Sequence, residues 1–338
     1  MTTTRIYRST DSGAPVLSGQ VGSLHALLKA CLVGTSGVAY GTGPNEKAAA
    51  GWSIAFEDVG NNKIALQNSV AEGGTGMVLR VDDNGSGSAG AREALCAVYS
   101  SMSDIDTGAD RTPAAAVVSV GSVWRKSNTL NGTARAWTLN ADELTCYLCV
   151  HDDGAGTPGT YAAGDFDSEV PADPWRFFIS GRGASSGANP TDAGSLFLGC
   201  SNAYVAAATS TFWLARNLSG SSGTGPIRAA LCRLANVGDG VVAAIGGSTN
   251  NLVASSPGGA AEYWYPALIG CENTIRGRLR GVYIPANRLD GVAAGLDRED
   301  AVGLPANSRL TIVRHNTTWG GFFAQYDGHL GVESRLGW

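Results

Sequence analysis

The stretch VVSVGSVWRKSNTLNGTARAWTLNADELTCYLCV, residues 117–150, decides how this chain is read. Apolar and polar residues trade places at a period of two through VVSVGSVWRKS, ARAWTLN and ELTCYLCV, the pattern of half-buried strands. In the last of these, Leu144, Cys146, Leu148 and Val150 fall on one side and Thr145, Tyr147, Cys149 and His151 on the other, since successive strand side chains point to opposite faces. Asn131-Gly132 supplies positive-φ residues for a hairpin between the first two segments. Asn140-Ala141-Asp142 supplies a turn between the second and third. The reading is a three-stranded antiparallel meander with one core face, whose partner sheet must come from flanking sequence.

Working outward, the segments WSIAFE (52–57), KIALQN (63–68), GMVLRVDD (76–83) and EALCAVYSSM (93–102) read as strands, with Gly60-Asn61-Asn62 closing a hairpin between the first two. Thr3 to Tyr7 is a further short strand. The clearest helix spans 23–33: Leu24, Leu27, Leu28, Cys31 and Leu32 recur at helical spacing, Ser23 is the expected N-cap, and Gly34 ends it. His25 is expected on its solvated flank. Residues 151–174 read as loop, followed by strand WRFFISG (175–181). The glycine-rich run GRGASSGANPTDAG divides the chain into an N-terminal β-rich domain, 1–184, and a C-terminal β-rich domain, 185–338. Beyond it SLFLGC, TSTFWLAR, IRAALCRL, GVVAAIGG, YWYPALIG, RGVYIPAN, RLTIVRH and GGFFAQYDG continue the series. The fold class is mainly β: short antiparallel sheets packed as β-sandwich-like domains with one minor N-terminal helix.

Composition agrees. Glycine contributes 47 of 338 residues without a collagen-like period, which favours many short strands and turns. Charged residues are only 16% and the net charge is −5, so no basic footprint for nucleic acid is present. No apolar run reaches the ~18 residues of a membrane span, and the opening MTTTRIYRSTDS has no signal-like apolar core, so synthesis in the cytoplasm is expected. The seven cysteines are too scattered for a disulfide framework and an odd count leaves one unpaired.

Motifs with chemical meaning are weak. Gly85–Gly90 fits G-x-G-x-x-G, but at this glycine content about one chance match is expected, and Asp82 and Asp83 would repel a pyrophosphate. Gly183–Gly187 fits G-x-S-x-G, with His315 and His329 downstream, yet Gly187, Asn189 and Pro190 deny it the helix a nucleophile elbow enters. Asp104, Asp106 and Asp110 alternate around Gly108 as weak calcium candidates, without the terminal Glu of a full loop. Cys146 and Cys149 have C-x-x-C spacing but face opposite sides of a strand, which argues against zinc. The aromatic clusters Trp175-Phe177-Phe178, Phe212-Trp213, Tyr263-Trp264-Tyr265 and Trp319-Phe322-Phe323-Tyr326 suit a core, a subunit contact or a sugar platform. No catalytic residue and no cofactor is assigned.

The phrases TTRIYRSTDSGAPVLSGQVGSLHALLKACLV, AREALCAVYSSMSDIDTG, WRKSNTLNGTARAWTLNADELTCYLCV and RGRLRGVYIPAN resemble a group of structural proteins of tailed bacteriophages. The resemblance spans most of the chain and is thinnest between Cys200 and Ile275. It implies a non-enzymatic virion component of the tail tip, baseplate or fibre apparatus, present in symmetric copies. Its partners would be other virion proteins and copies of itself. Two further readings stay open: a capsid decoration protein, and a tail protein binding a host surface glycan. Cys149, placed on an exposed strand face, is the first expected site of intersubunit disulfides.

Overall fold

Besides two two-stranded pairs, Val38–Tyr40 with Lys47–Ala48 and Ser101–Asp104 with Thr107–Ala109, period-two patterning produces three large antiparallel sheets in the computed structural model. It describes residues 2–87, 89–116, 118–151, 159–183, 212–216, 229–232, 264–271, 274–285, 297–299, 309–315 and 328–333. The first sheet runs in the order Arg5–Arg8, Trp137–Ala141, Thr145–Val150, Gly159–Asp165, Phe177–Ser180, Phe212–Leu214. The second runs Arg182–Gly183, Ser122–Arg125, Glu93–Tyr99, Val78–Asp82, Lys63–Gln67, Ser53–Asp58. The third is built from Ala229–Cys232, Trp264–Cys271, Thr274–Pro285, Gly328–Glu333, Arg309–His315 and Asp297–Glu299, with Asp167–Ser168 pairing onto Thr274–Pro285. The architecture is mainly β, as the sequence predicts. Among the described residues no helix is long and apolar enough to cross a membrane.

The first two sheets pack face to face. Tyr7, Trp137, Leu139, Cys146, Leu148, Tyr161, Phe177 and Ile179 of the first meet Ile64, Leu66, Leu79, Val81, Cys96, Val98 and Trp124 of the second in one buried cluster. Trp124 stacks on Tyr161 with ring centroids 5.5 Å apart, and its indole N–H donates to the Ser180 carbonyl at 2.8 Å, so the buried indole keeps an acceptor. Leu24, Leu27, Leu28, Cys31 and Leu32 join the same cluster from the helical segment, which is an α-helix over Ser23–Leu28 continued by a π-turn over Lys29–Val33. Gly34 ends it with φ 67°, a conformation a side chain would strain.

Four expectations are corrected. Ser122–Arg125 does not pair with Trp137–Ala141: it lies in the second sheet, and Asn131-Gly132 sits in a connection that crosses between sheets. Trp124 and Trp137 both need the interior, and a flat hairpin would not bring each to its own layer of the core. The loop read over 151–174 contains the strand Gly159–Asp165. Its Gly and Ala residues read as loop because they are small, but small residues are what the site admits: a Cβ on Gly164 would lie 2.4 Å from the Thr145 backbone. The helix is not capped by Ser23; Gly22 is the cap position, and the Asp83 carboxylate accepts the Leu24 N–H at 2.8 Å and the His25 N–H at 3.3 Å. His25 is not solvated either. It is buried against the edge strand, its Nε2 2.8 Å from Glu57 Oε1.

The largest difference concerns burial. The first sheet is not half-buried: Thr138, Asn140, Tyr147, Cys149, Thr160, Ala162, Phe178 and Phe212, on its outer face, are all buried too. The third sheet contacts that face, the Tyr147 hydroxyl donating to the Arg280 carbonyl at 2.9 Å. Strand pairing crosses position 184: Phe212–Leu214 belongs to the first sheet, and Asp167–Ser168 pairs with the third. The expected strands SLFLGC, GVVAAIGG and GGFFAQYDG lie outside the described residues.

Truncating Leu148, at the centre of the first sheet, should leave a cavity between two rigid layers. Leu148→Ala is expected to cost about 2–5 kcal/mol in urea unfolding. Leu130→Ala, at an exposed loop tip, should change stability by less than about 0.5 kcal/mol.

Candidate functional site

Several motifs singled out in the sequence fall within the described residues. The three candidate calcium ligands do not converge. Asp106 pairs with Lys63 and Arg80, whose hydrogen bonds hold its carboxyl below the usual range. Asp110 takes the Ser100 hydroxyl at 2.7 Å and pairs with Arg216, while Asp104 accepts the Ile105 N–H at 2.7 Å. Among the described residues no cluster of three potential ligands is suited to a metal ion. Residues 184–187 lie outside the described set, as do the side chains of His315 and His329.

Cys146 and Cys149 occupy opposite faces of Thr145–Val150. The exposed position expected for Cys149 is corrected: it is 1% exposed, its Sγ 3.8 Å from His151 Nδ1, and burial pushes its thiol up to about 12. The other imidazole nitrogen meets the Thr138 hydroxyl at 2.8 Å, and burial holds His151 below its ordinary value. A protonated thiol beside a neutral imidazole is a packed polar pair, and the nucleophile in such a pair is not activated. The described aromatic rings are spent inside: Phe177, Phe178, Phe212, Trp213 and Trp264 are buried, and Trp175 lies under the Arg216 guanidinium at 4.5 Å.

What the fold gathers, and no motif announced, is a surface made by four connections at one end of the first two sheets. Residues 15–22, 59–62, 84–87 with 89–91, and 128–134 meet there. Gly19 N–H donates to the Asn131 carbonyl, Gly22 N–H to the Asp83 carbonyl, Asp83 N–H to the Asn62 carbonyl, and Arg92 Nη1 to the Asn128 carbonyl. The approach is close: a Cβ on Gly19 would sit 1.7 Å from the Thr129 carbonyl oxygen, so only glycine allows the first and fourth connections to touch. Val21 lies against Gly85, and Leu130 against Gly90.

The described residues of these four segments include no Asp, Glu, Lys or Arg among 26, where the chain's 16% charged content would put about four. They do expose Val16 at 59%, Val21 at 48%, Val59 at 69% and Leu130 at 63%. Two charged groups border the platform: the Asp58 carboxylate accepts from Asn61, and the Arg92 guanidinium donates to the Ala89 and Asn128 carbonyls. Scattered apolar residues are ordinary on a surface; apolar groups on a charge-poor platform of Gly, Ser and Asn are the composition of a protein contact. Beneath the platform Asp83 and Lys126, both essentially unexposed, form an ion pair, and Lys126 Nζ also donates to the Gln20 carbonyl. Burial dominates at both, pushing the Asp83 carboxyl up and the Lys126 ammonium down.

A second buried carboxylate anchors another loop. Asp165 accepts the Thr75 N–H at 2.7 Å and the Thr75 hydroxyl at 2.6 Å, joining residues 68–77 to the first sheet. These bonds favour the anion, but burial outweighs them and raises its pKa to about 6.

No protein-family model matches this chain, and no curated protein matches it.

The Asp165 shift carries a sign. Its folded value lies above the unfolded 3.8, so the folded state binds the proton more tightly. The full cost is present above pH 6, and stability from this group rises as pH falls from about 6 to about 4, by roughly 3 kcal/mol. Asp165→Asn should lose that rise, which urea titrations across the interval would show as a smaller increase in stability on acidification than in the wild type.

Proposed function

We propose that this chain is a non-enzymatic structural component of a tailed-bacteriophage virion, acting in the tail tip, baseplate or fibre apparatus. It is built into the particle through contacts with copies of itself and with other virion proteins. The observation that carries this reading is the charge-poor loop platform with its exposed Val16, Val21, Val59 and Leu130. Two packed sheets give it a stiff base, and a contact preorganised in this way loses little conformational entropy on association. The resemblance of its sequence phrases to phage structural proteins supplies the context. The described carboxylates and cations fit the same reading, since they are largely committed to ion pairs that tie strands to one another or to connections: Arg5 with Glu143, Arg125 with Glu93, Arg276 with Asp173 and Arg280 with Asp142.

Placing a charge in the platform should break assembly without unfolding the subunit. The double variant Val21→Asp, Leu130→Asp is expected to keep the wild-type melting temperature, to sediment as a monomer where the wild type self-associates, and to be missing from purified particles. Antibody labelling of wild-type particles should mark tail ends. Signal on heads would instead favour capsid decoration, and its absence from particles would overturn the virion reading altogether.

A further inference from the structure

Lys126 and Asp83 follow strands that are not neighbours: Ser122–Arg125 and Val78–Asp82 are separated in the second sheet by Glu93–Tyr99. Their side chains meet behind that strand's end, in a site where Asp83 is 0% and Lys126 1% exposed. The two carboxylate oxygens have different surroundings. Oδ1 receives Lys126 Nζ, whereas Oδ2 receives the backbone N–H groups of Leu24 at 2.8 Å and His25 at 3.3 Å. Ion pairs this deeply buried gain little over their desolvation cost. This one brings an amine to a carboxyl whose other oxygen already sits on two fixed donors.

We propose that Lys126 and Asp83 form an intramolecular isopeptide bond, a covalent staple across the second sheet directly under the loop platform. Burial drives the pair toward the neutral amine and neutral acid, the forms that condense. Nζ attacks Cγ of the protonated carboxyl and the C–N bond forms. Charge collects on Oδ2, where the Leu24 and His25 N–H groups receive it, as donors do for any acyl-transfer intermediate. The Cγ–Oδ1 bond then breaks. Oδ1 departs as water with the carboxyl proton and one proton from Nζ, and the remaining amide N–H keeps the Gln20 carbonyl as its acceptor. Atoms and electrons balance without an oxidant or a co-reactant. Fixed juxtaposition is worth an effective concentration on the order of 10⁵ M or more, and a dry site gives the reverse hydrolysis little water, so both factors favour the amide. The bond closes a loop between positions 43 residues apart, tying down the platform that the proposed assembly uses. It does not depend on that assembly.

Mass spectrometry of the purified full-length chain tests this. The intact denatured mass should fall short of the sequence mass by one water. Tryptic digestion should yield a branched species in which the peptide 81–92 is joined to 126–135 with no cleavage after Lys126. Lys126→Arg, which keeps the positive charge but removes the primary amine, should restore the full mass and abolish the branched peptide. A wild-type mass equal to the sequence, with the two peptides recovered separately, would overturn the proposal. So would a water loss that maps to an Asp-Gly succinimide elsewhere or that persists in Lys126→Arg.

Discussion

Burying one sheet on both faces is the constraint from which the remaining features follow. The first sheet has the second against its inner face and the third in contact with its outer face, so every polar atom on it needs a partner inside the protein. The structure supplies many of them locally: the Thr145 hydroxyl donates to the Asp165 carbonyl at 2.7 Å, Thr138 meets His151, and Tyr147 reaches the Arg280 carbonyl, whereas Asn140 Nδ2 and Trp213 Nε1 are buried without a hydrogen-bond acceptor among the described residues. The same constraint selects the small residues of Gly159–Asp165. Bulk on one face of that strand is provided by Tyr161, stacked on Trp124, and glycine and alanine leave room for the layers on either side.

Charge is handled by the same logic. Arg280 with Asp142 and Arg276 with Asp173 join the third sheet to the rest through side chains that are nearly all out of water. Removing one partner of such a pair leaves an isolated buried charge and is far more damaging than the pair is stabilising. Acids and bases therefore mark seams between elements, and the four connections of the platform contain none among their described residues, with Asp58 and Arg92 at their edges. Rigid backing and a charge-poor face are properties of one arrangement, because the Asp83–Lys126 pair that holds the loops lies beneath them.

Much of this was legible in the sequence where one strand face differs plainly from the other. Ser53–Asp58, Lys63–Gln67, Val78–Asp82, Glu93–Tyr99 and Thr145–Val150 all match segments read from alternation, and the hairpin at Gly60-Asn61-Asn62 follows from turn chemistry. Sheet membership was not legible. Ser122–Arg125 and Trp137–Ala141 look like hairpin partners because Asn-Gly stands between them, and only the demand for tryptophan in two layers of the core separates them. Burial of both faces was hidden because Thr145, Tyr147, Cys149 and Thr160 look like solvent-facing residues until their partners are known. The platform was illegible for a different reason: its four segments are spread from residue 15 to residue 134. Asp83 and Lys126 carry no motif and are brought together only by the packed sheet.

Thiol labelling tests the two-sided burial most directly, because Cys146 and Cys149 lie on opposite faces of the same strand. Native protein treated with iodoacetamide and mapped by peptide mass spectrometry should show both cysteines unmodified over hours, and both modified at once in denaturant. Rapid modification of Cys149 in the native state with Cys146 still protected would mean that the outer face is open to water, and would contradict the account.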